Sequence, residues 1–327
     1  MVRSNGMVPL NPTDIARSGA RTLRAFSHRI PGAGDLLARS LPDAVEGRTI
    51  MITGASSGIG RAAALEIGKA GGKVLLVART QQKLKEIGRQ IEIVGGEAYV
   101  HRCDLSDTDD IDRMAAEVLD THGHVDILVN NAGKSIRRSI SRSYHRFHDY
   151  QRTMQLNYFA PVKLILELLP VMRERKSGHI VNISTIGLQT NTPRFSAYLA
   201  SKAALDAFSR SIAVEIISDS VHITTVYMPL VRTPMIAPTK IYDHFPTLTP
   251  EEAAKMICDA IRKRPKRIAT TLGNIGELGY ALVPGAQDLV VNRAYTLFPE
   301  GGDKQEPAEE PTPEQMAFAR ATRGVHW

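Results

Sequence analysis

A glycine-rich stretch at residues 53–60 constrains this chain more than any other feature of its sequence. It reads Thr53-Gly54-Ala55-Ser56-Ser57-Gly58-Ile59-Gly60, after a short apolar run at 49–52 and before an Ala-rich amphipathic run at 61–70. Strand, glycine turn and helix in this order favour a turn whose backbone N–H groups face a pyrophosphate at the helix N-terminus. The spacing G-x-x-x-G-x-G differs from the common fingerprint G-x-G-x-x-G, and ordinary tight turns also use glycine, so the stretch needs support from the rest of the chain.

Length, composition and cysteine content limit the class of protein. The 327 residues suffice for one large domain or two modest ones, and the hydrophobic and charged fractions, 43% and 23%, are typical of a globular protein. No run reaches the ~18 apolar residues of a membrane-spanning helix. Cys103 and Cys258 provide neither a disulfide framework nor a zinc spacing, which predicts a cytoplasmic setting and no metal site. The net charge of +7 suits anionic ligands or an anionic membrane surface, and does not choose between them.

The distribution of apolar and polar residues divides the chain into four segments. Residues 1–46 are predicted to be a basic N-terminal extension, 47–273 the main domain, 274–299 an apolar C-terminal cap near the substrate opening and 300–327 a flexible Pro/Glu-rich tail. Within the extension, residues 14–39 mix large apolar side chains with five arginines. Such a basic amphipathic segment either makes a peripheral membrane contact or packs on the core or on a partner subunit, and the pattern leaves both open.

Strand and helix patterns alternate through the main domain. Apolar strand patterns cover 49–53, 73–78, 97–103, 126–129, 179–183, 222–227 and, more weakly, 267–271. Helical patterns between them include 80–94, 107–121, 147–173, 196–217 and 250–263. This alternation predicts an α/β fold with a doubly wound, Rossmann-like parallel sheet, which binds its ligands at the carboxyl ends of the strands.

Residues that follow the next three strands bear on the identity of a bound nucleotide. An acidic residue at the position of Arg79 would bind the adenosine ribose 2′-hydroxyl, whereas arginine accommodates a 2′-phosphate, so NADP(H) is favoured over NAD(H). An arginine that only caps the strand end is the alternative. Asp104, followed by Leu105, is placed to meet the adenine ring. Asn131-Ala132-Gly133 offers small residues that let the backbone approach the cofactor.

A tyrosine and a lysine four residues apart are the candidates for proton transfer. Tyr198 and Lys202 share one face of a predicted helix, and an ammonium beside a phenol lowers the pKa of the tyrosine from about 10 toward the working range. Tyr198 would then donate a proton to a carbonyl oxygen as a hydride arrives, while Lys202 also holds the ribose. The pattern Y-x-x-x-K by itself occurs easily by chance on a solvated helix face.

With these motifs in this order, the chain resembles the short-chain dehydrogenase/reductase family over residues 47–273. The resemblance rests on 53–60, Asn130–Gly133, Asn157, the hydroxyl residues 184–185, the Tyr198/Lys202 pair and two residues after the sixth strand, Val231 and Thr233. It implies NAD(P)H-linked carbonyl or alcohol chemistry by an Asn-Ser-Tyr-Lys tetrad. Asn157 matches the asparagine of the tetrad, which implies a water linked to the lysine.

Two positions depart from the family pattern. The serine usually lies thirteen residues before the tyrosine, and here Thr185 occupies that position, so the role is assigned to Thr185 with Ser184 in reserve. In Met228–Thr233 the usual glycine is missing, but Val231 and Thr233, which the family places at the nicotinamide carboxamide, are present. The cofactor-binding residues implied by the resemblance are Gly54, Ser56, Ser57, Gly58, Ile59, Gly60, Arg79, Asp104, Leu105, Asn131, Ala132, Gly133, Tyr198, Lys202, Val231 and Thr233.

A closer resemblance concerns the substrate. Residues 134–139, 147–150, 154–159, 194–198 and 228–240 look like bacterial fatty acyl-CoA reductases of the mycobacterial type. This likeness implies reduction of a long-chain acyl-CoA thioester by NADPH to a fatty aldehyde and free CoA. Tyr198 would protonate the oxyanion, and the hydroxyl at 185 would hydrogen-bond it as it develops.

Basic residues and an apolar loop offer independent support. Arg137, Arg138, Arg142 and Arg146 are candidates to meet the CoA phosphates, and residues 262–267 form a second basic cluster. For each cluster a solvated or salt-bridged surface is an equal alternative. The apolar loop 235–248 either covers an acyl chain or forms a subunit contact.

Other functions remain open at this level. The same tetrad serves a ketone reductase or alcohol dehydrogenase acting on a lipid or steroid, and a catalytically inactive NADP-binding scaffold is a candidate of another class. A nucleic-acid partner is not expected, because no recognised module or aromatic-interleaved basic strand occurs. The family resemblance implies a homo-oligomer, often through the long helices at 147–173 and 196–217.

Overall fold

Seven parallel strands form one sheet in the order β3-β2-β1-β4-β5-β6-β7. The computed structural model describes residues 39–237, 242, 245, 247–298, 312 and 314. The strands are β1 (Thr49–Thr53), β2 (Lys73–Ala78), β3 (Glu97–Arg102), β4 (Ile127–Asn130), β5 (Gly178–Thr185), β6 (Val221–Met228) and β7 (Arg267–Ile268). The helices are α1 (Leu41–Val45), α2 (Gly58–Lys69), α3 (Gln81–Ile93), α4 (Thr108–His122), α5 (Phe147–Met154), α6 (Ala160–Glu174), α7 (Gly187–Thr190), α8 (Ser196–Glu215), α9 (Pro250–Lys263), α10 (Thr271–Leu282) and α11 (Pro284–Leu297).

The central strands of the sheet are buried on both faces, which explains why these strands are continuous apolar runs. In β1, Ile50 and Ile52 point into a core formed with α2, α3 and α9, while Met51 between them points into a core formed with α4, α6 and α8. All three side chains are fully buried. Because successive residues of a strand face opposite sides, a strand covered on both faces has to be apolar at every position. The predicted doubly wound α/β fold is therefore confirmed.

Element boundaries differ from the sequence prediction by more than two residues at three places. Residues 41–45, assigned to the N-terminal extension, form α1, and Ala44 and Val45 belong to the core, so the main domain begins earlier than residue 47. The weak strand 267–271 shortens to the two residues of β7. The helix predicted over 147–173 is divided by a π-helical turn, Gln155–Phe159, into α5 and α6. Such wide turns are rare and occur frequently at functional sites.

A helical hairpin, α10 and α11, follows the last strand and occupies the segment predicted as a cap. Its anchor is polar: the Glu277 carboxylate accepts hydrogen bonds from Gln189 (3.0 Å) and from Arg267 (3.1 Å). Gly276 lies so close to α7 that a Cβ there would be 2.9 Å from Gln189 O. The contact with α7 thus requires glycine on one face of α10 and leaves the apolar faces of the hairpin for other surfaces.

Several predictions concern segments that the structure does not describe. Residues 1–38 of the predicted extension and nearly all of the tail 300–327 lie outside the described residues, as do parts of the loop 235–248. Within the described part of the chain, no helix combines the length and apolar character needed to cross a membrane.

Candidate active site

The site is built where the strand order reverses, between β1 and its neighbour β4. The Thr53 hydroxyl at the end of β1 accepts hydrogen bonds from the backbone N–H groups of Asn131 and Ala132, both at 3.0 Å, and lies 3.3 Å from Val129 O. In return, Asn131 Nδ2 donates to Thr53 O at 2.9 Å. These bonds hold the glycine turn against the segment after β4, so two of the sequence motifs meet at one edge of the sheet.

The glycines of the turn are required by conformation and by space. Gly54 and Gly58 have φ of +66° and +54°, which favour residues without a Cβ. A Cβ on Gly54 would lie 2.9 Å from the Ala132 Cα, and one on Gly60 would overlap Gly54 O and lie 2.5 Å from Asn131 Nδ2. Since no side-chain oxygen of Ser57 caps α2, the first-turn N–H groups of that helix remain available to an anion.

Arg79 and Asp104 lie at the carboxyl ends of β2 and β3, as the sequence predicts. Asp104 accepts hydrogen bonds from the Ser106 hydroxyl (2.6 Å) and the Ser106 N–H (3.0 Å), and these bonds together with the nearby Arg79 charge lower its pKa. Arg79 is exposed and lines the same cavity as the glycine turn. A fixed carboxylate and an exposed guanidinium therefore flank one end of the cavity.

Tyr198 and Lys202 lie in the first two turns of α8, and burial dominates the ionisation of both. Burial raises the pKa of Tyr198 to about 12, although a hydrogen bond with Thr185 opposes the rise. Burial also lowers the pKa of Lys202 to about 8. The Lys202 ammonium donates a hydrogen bond to Ile183 O at 2.7 Å. The sequence-based expectation of a lowered tyrosine pKa is therefore wrong for the protein alone, because desolvation of the phenolate is the largest influence on it and raises the pKa.

The structure distinguishes the two candidate hydroxyls on β5. Thr185 hydrogen-bonds Tyr198, and its Oγ1 accepts from Gly187 N–H at 3.1 Å. The Ser184 hydroxyl is buried and, within the described part of the chain, has no hydrogen-bond partner. Both residues border the cavity. The contact with Tyr198 favours Thr185 as the hydroxyl beside a reacting carbonyl.

Asn157 lies in the π-helical turn, Gln155–Phe159, and is fully buried. Its Oδ1 accepts from the Lys134 N–H at 2.8 Å, and its Nδ2 donates to Lys134 O and to the Ser201 hydroxyl, both at 2.9 Å. Gly133 lies between the side chains of Asn157 and Lys202. A Cβ on Gly133 would be 3.2 Å from Asn157 Oδ1 and 3.6 Å from Lys202 Nζ. Ser201, to which the sequence reasoning gave no role, thus links Asn157 to the helix of Tyr198.

One cavity of about 1900 Å³ unites these residues. Gly60 and Asn157 support its wall from behind rather than line it. Its lining includes the following predicted residues: Gly54, Ser56, Ser57, Gly58, Ile59, Arg79, Asp104, Leu105, Asn131, Ala132, Gly133, Ser184, Thr185, Tyr198, Lys202, Val231 and Thr233.

The far wall of the cavity is apolar and comes from the helical hairpin, which sequence reasoning placed only near the opening. Leu272, Ile275 and Val283 of its first part and Val290 and Phe298 of its second line the cavity. Two arginines fasten this wall. Arg194 donates to Tyr295 O at 2.9 Å and lies over the Tyr295 ring, and Arg137 lies 3.5 Å from Phe298 O. The apolar pattern of residues 272–298 signals a buried face, but not which surface it covers.

The two predicted basic clusters do not contribute equally. Of the arginines at 137–146, only Arg137 lines the cavity; Lys134 and Arg152, which were not singled out, line it as well. In the 262–267 cluster, Arg262 and Lys263 pair with Asp259, and Arg267 pairs with Glu277. None of the 262–267 cations lines the cavity, which favours the solvated or salt-bridged alternative for that cluster.

Fold and site define the class of the protein. The model of the short chain dehydrogenase family matches residues 48–241, more than half of the chain. The chain is an oxidoreductase of the short-chain dehydrogenase family.

Two sequence relatives and one solved structure show what the chain is similar to. A fatty acyl-CoA reductase of Acinetobacter baylyi is 52% identical over 283 residues, which cover 86% of this chain and 96% of the relative. An oxidoreductase of Mycobacterium tuberculosis, described as uncharacterized, is 52% identical over 297 residues, 88% of this chain and 87% of the relative. Among solved structures, a metagenomic short-chain oxidoreductase in complex with NADP is 32% identical, with a TM-score of 0.58 over 67% of this chain and 92% of its own.

The close approach at Gly54 can be tested with Gly47 as the control. Gly47 has the same φ as Gly54, +66°, but a Cβ there would meet nothing within 4 Å. We expect Gly47→Ala to lower the free energy of unfolding by about 1 kcal/mol through backbone strain alone. Gly54→Ala adds the clash with Ala132 and should cost clearly more, together with most of the dinucleotide affinity. Urea unfolding and nucleotide titration of the two variants make the comparison; equal unfolding costs would contradict the close approach.

Proposed function

We propose that this protein reduces long-chain fatty acyl-CoA thioesters to fatty aldehydes with NADPH. The observation that carries the proposal is the continuity of one cavity from the glycine turn, past Tyr198 and Thr185, to the apolar wall of α10 and α11. A nucleotide, a reacting carbonyl and a long apolar chain each have a suitable surface in it. The similarity to the Acinetobacter fatty acyl-CoA reductase supports the same substrate class.

The residues of the sheet edge fit a dinucleotide phosphate. The turn at Gly54 and Gly58 brings backbone close to a pyrophosphate, and the uncapped N-terminus of α2 favours its charge. Arg79 supplies a guanidinium for a 2′-phosphate. A solved relative that is 32% identical contains NADP, which supports this assignment. When bound, NADPH supplies a hydride to the thioester carbonyl carbon.

Tyr198 and its neighbours would transfer a proton to the carbonyl oxygen. Since burial keeps the Tyr198 phenol protonated at neutral pH, it can donate that proton to the carbonyl oxygen while Thr185 hydrogen-bonds the same oxygen. The product of this step is a hemithioacetal. When it collapses, the carbon–sulfur bond breaks, the sulfur leaves with the bonding electrons and takes up the hydroxyl proton, and a fatty aldehyde remains. The Lys202 ammonium adds positive charge near the phenol.

Both ends of the substrate find complementary surfaces. The apolar wall of the hairpin suits the acyl chain, and burial of each methylene contributes about 0.8 kcal/mol. Lys134, Arg137 and Arg152 line the cavity and suit the CoA phosphates. A ketone or secondary alcohol would use the same Tyr198 and Thr185 but would offer no phosphates to these three cations.

Loss of the phenol hydroxyl tests the proton donor. We expect Tyr198→Phe to lower turnover about 100-fold or more while NADPH binding is retained, because the remaining Thr185 hydroxyl can hydrogen-bond the oxyanion but is a far weaker acid than a phenol. The assay follows NADPH absorbance and free thiol together with palmitoyl-CoA as substrate. Tyr280→Phe, outside the cavity lining, is the matched control and should keep wild-type turnover. NADPH consumption without thiol release, or activity on ketones alone, would refute thioester reduction.

Cofactor choice tests Arg79. Arg79→Asp should reverse the preference from NADPH toward NADH, because a carboxylate repels the 2′-phosphate and accepts a hydrogen bond from the 2′-hydroxyl. We expect the ratio of kcat/KM for the two cofactors to change by about 100-fold. Arg89→Asp, a charge reversal at another exposed arginine, on α3, should leave the ratio unchanged. An unaltered ratio in the Arg79 variant would remove the 2′-phosphate role.

The lowered pKa of Lys202 predicts how reduction depends on pH. We expect kcat/KM to be level below about pH 7 and to fall with an apparent pKa near 8, as the ammonium beside the phenol loses its proton. Between the folded pKa of about 8 and the ordinary value of 10.5, the unfolded chain binds more protons at this lysine, so rising pH favours the folded state here. The fall is therefore not caused by unfolding through Lys202. A rate that stays level to pH 10 would contradict this assignment.

A further inference from the structure

The segment from residue 134 to 152 begins and ends on the cavity lining but projects outward in its middle. Lys134, Arg137 and Arg152 line the cavity, whereas residues 139–147 do not. Three large apolar side chains in the projecting part are exposed to solvent: Ile140 by 62%, Tyr144 by 73% and Phe147 by 71%. We call Ile140, Tyr144 and Phe147 the apolar triplet. The triplet therefore lies beside the cavity rim and outside the cavity lining.

Hydrogen bonds within residues 139–146 hold the backbone that carries the apolar triplet. The Ser143 N–H donates to Ile140 O at 2.9 Å, its hydroxyl to Ser139 O at 2.8 Å, and the Arg146 N–H to Ser143 O at 2.9 Å. Ser139 and Ser143 are buried, although the side chains between them are not. The segment thus buries small hydroxyl residues and exposes large apolar ones, the reverse of the usual distribution.

The same segment carries a strong positive charge. Its nineteen residues include six lysines and arginines and one carboxylate, Asp149. Asp149 is buried and shared among Arg138 (3.2 Å), Arg146 (3.0 Å) and Arg152, with His148 at 3.4 Å. One carboxylate cannot neutralise three guanidiniums, so the cluster keeps an excess positive charge close to the triplet.

We propose that this segment docks the protein on an anionic phospholipid bilayer, with the apolar triplet inserted among the headgroups and acyl chains and the surrounding cations on the lipid phosphates. Apolar and aromatic side chains within a basic surface are the combination that binds such an interface. The choice of a bilayer rests on the proposed function, since a long-chain acyl substrate and its aldehyde product partition into membranes. Docking here would bring the cavity rim to that lipid.

Other occupants fit this surface less well. In a two-fold contact with a second copy of the chain, the same cations would face each other, and like charges would repel. Free CoA would satisfy the cations but give the apolar triplet nothing to bury. A bilayer with anionic headgroups satisfies both halves of the surface.

Vesicle sedimentation of the full chain, without nucleotide or acyl-CoA, tests the proposal. We expect strong binding to vesicles with about one-third phosphatidylglycerol, weak binding to phosphatidylcholine alone, and weakening by high salt. The triple variant Ile140→Ser/Tyr144→Ser/Phe147→Ser should bind the anionic vesicles about tenfold or more weakly. Arg142→Gln, a milder change in the same segment, should weaken binding about fivefold.

A matched control uses exposed apolar residues at the opposite edge of the sheet, where the carboxyl ends of the helices lie. Ile93→Ser/Val214→Ser/Ile217→Ser removes three comparably exposed side chains and should bind vesicles like the wild type. Equal binding of wild type to neutral and anionic vesicles, or unchanged binding of the triplet variant, would overturn the proposal. A change in molecular mass by light scattering in the triplet variant, with vesicle binding unchanged, would instead identify the surface as a contact between copies.

The experiment separates this inference from the proposed function. Reduction of a water-soluble, short-chain acyl-CoA is measured apart from vesicles, and the triplet variant should turn it over at the wild-type rate. Loss of vesicle binding by that variant with reduction intact supports docking by the triplet. A wild-type protein that binds anionic vesicles but reduces no thioester would contradict the proposed function and leave the docking surface standing.

Discussion

A single side-chain hydroxyl, that of Thr53, joins the two strand ends on which the site depends. It receives the N–H groups of Asn131 and Ala132 and so fixes the segment after β4 against the glycine turn after β1. The closeness of the two segments in turn forces glycine at position 54, because a Cβ would meet Ala132. The cradle for a dinucleotide is thus a consequence of strand order and of one threonine, and the glycines are its sterically necessary result.

The two sides of the cavity are held in place by different kinds of contact. The sheet edge is held by buried strands, whereas the hairpin of α10 and α11 is attached by polar contacts, through Glu277 to Gln189 and Arg267 and through Arg194 to Tyr295. Five apolar residues of this segment, Leu272, Ile275, Val283, Val290 and Phe298, line the cavity. The arrangement adds an apolar wall to the site, which the proposed function assigns to a long acyl chain.

Burial at the base of the cavity shifts the pKa values of Tyr198 and Lys202 in opposite directions. Burial disfavours every charged form, so it raises the pKa of Tyr198 and lowers that of Lys202. In the proposed reduction the protonated phenol is the form required, and the Thr185 hydroxyl beside it would hydrogen-bond the developing oxyanion. Desolvation therefore favours the acid form of the tyrosine in the direction of carbonyl reduction.

The sequence by itself determined the fold and the motifs of the site, because buried parallel strands must be apolar throughout and because tight turns and i, i+4 pairs are local in the chain. Arg79 and Tyr198 could be named in this way, and Thr185 through the family resemblance. Only the tertiary structure decided the link from Asn157 to Ser201, the direction of the Tyr198 pKa and the use of the hairpin as a cavity wall. These depend on desolvation and on contacts between residues far apart in the chain, which no local pattern records.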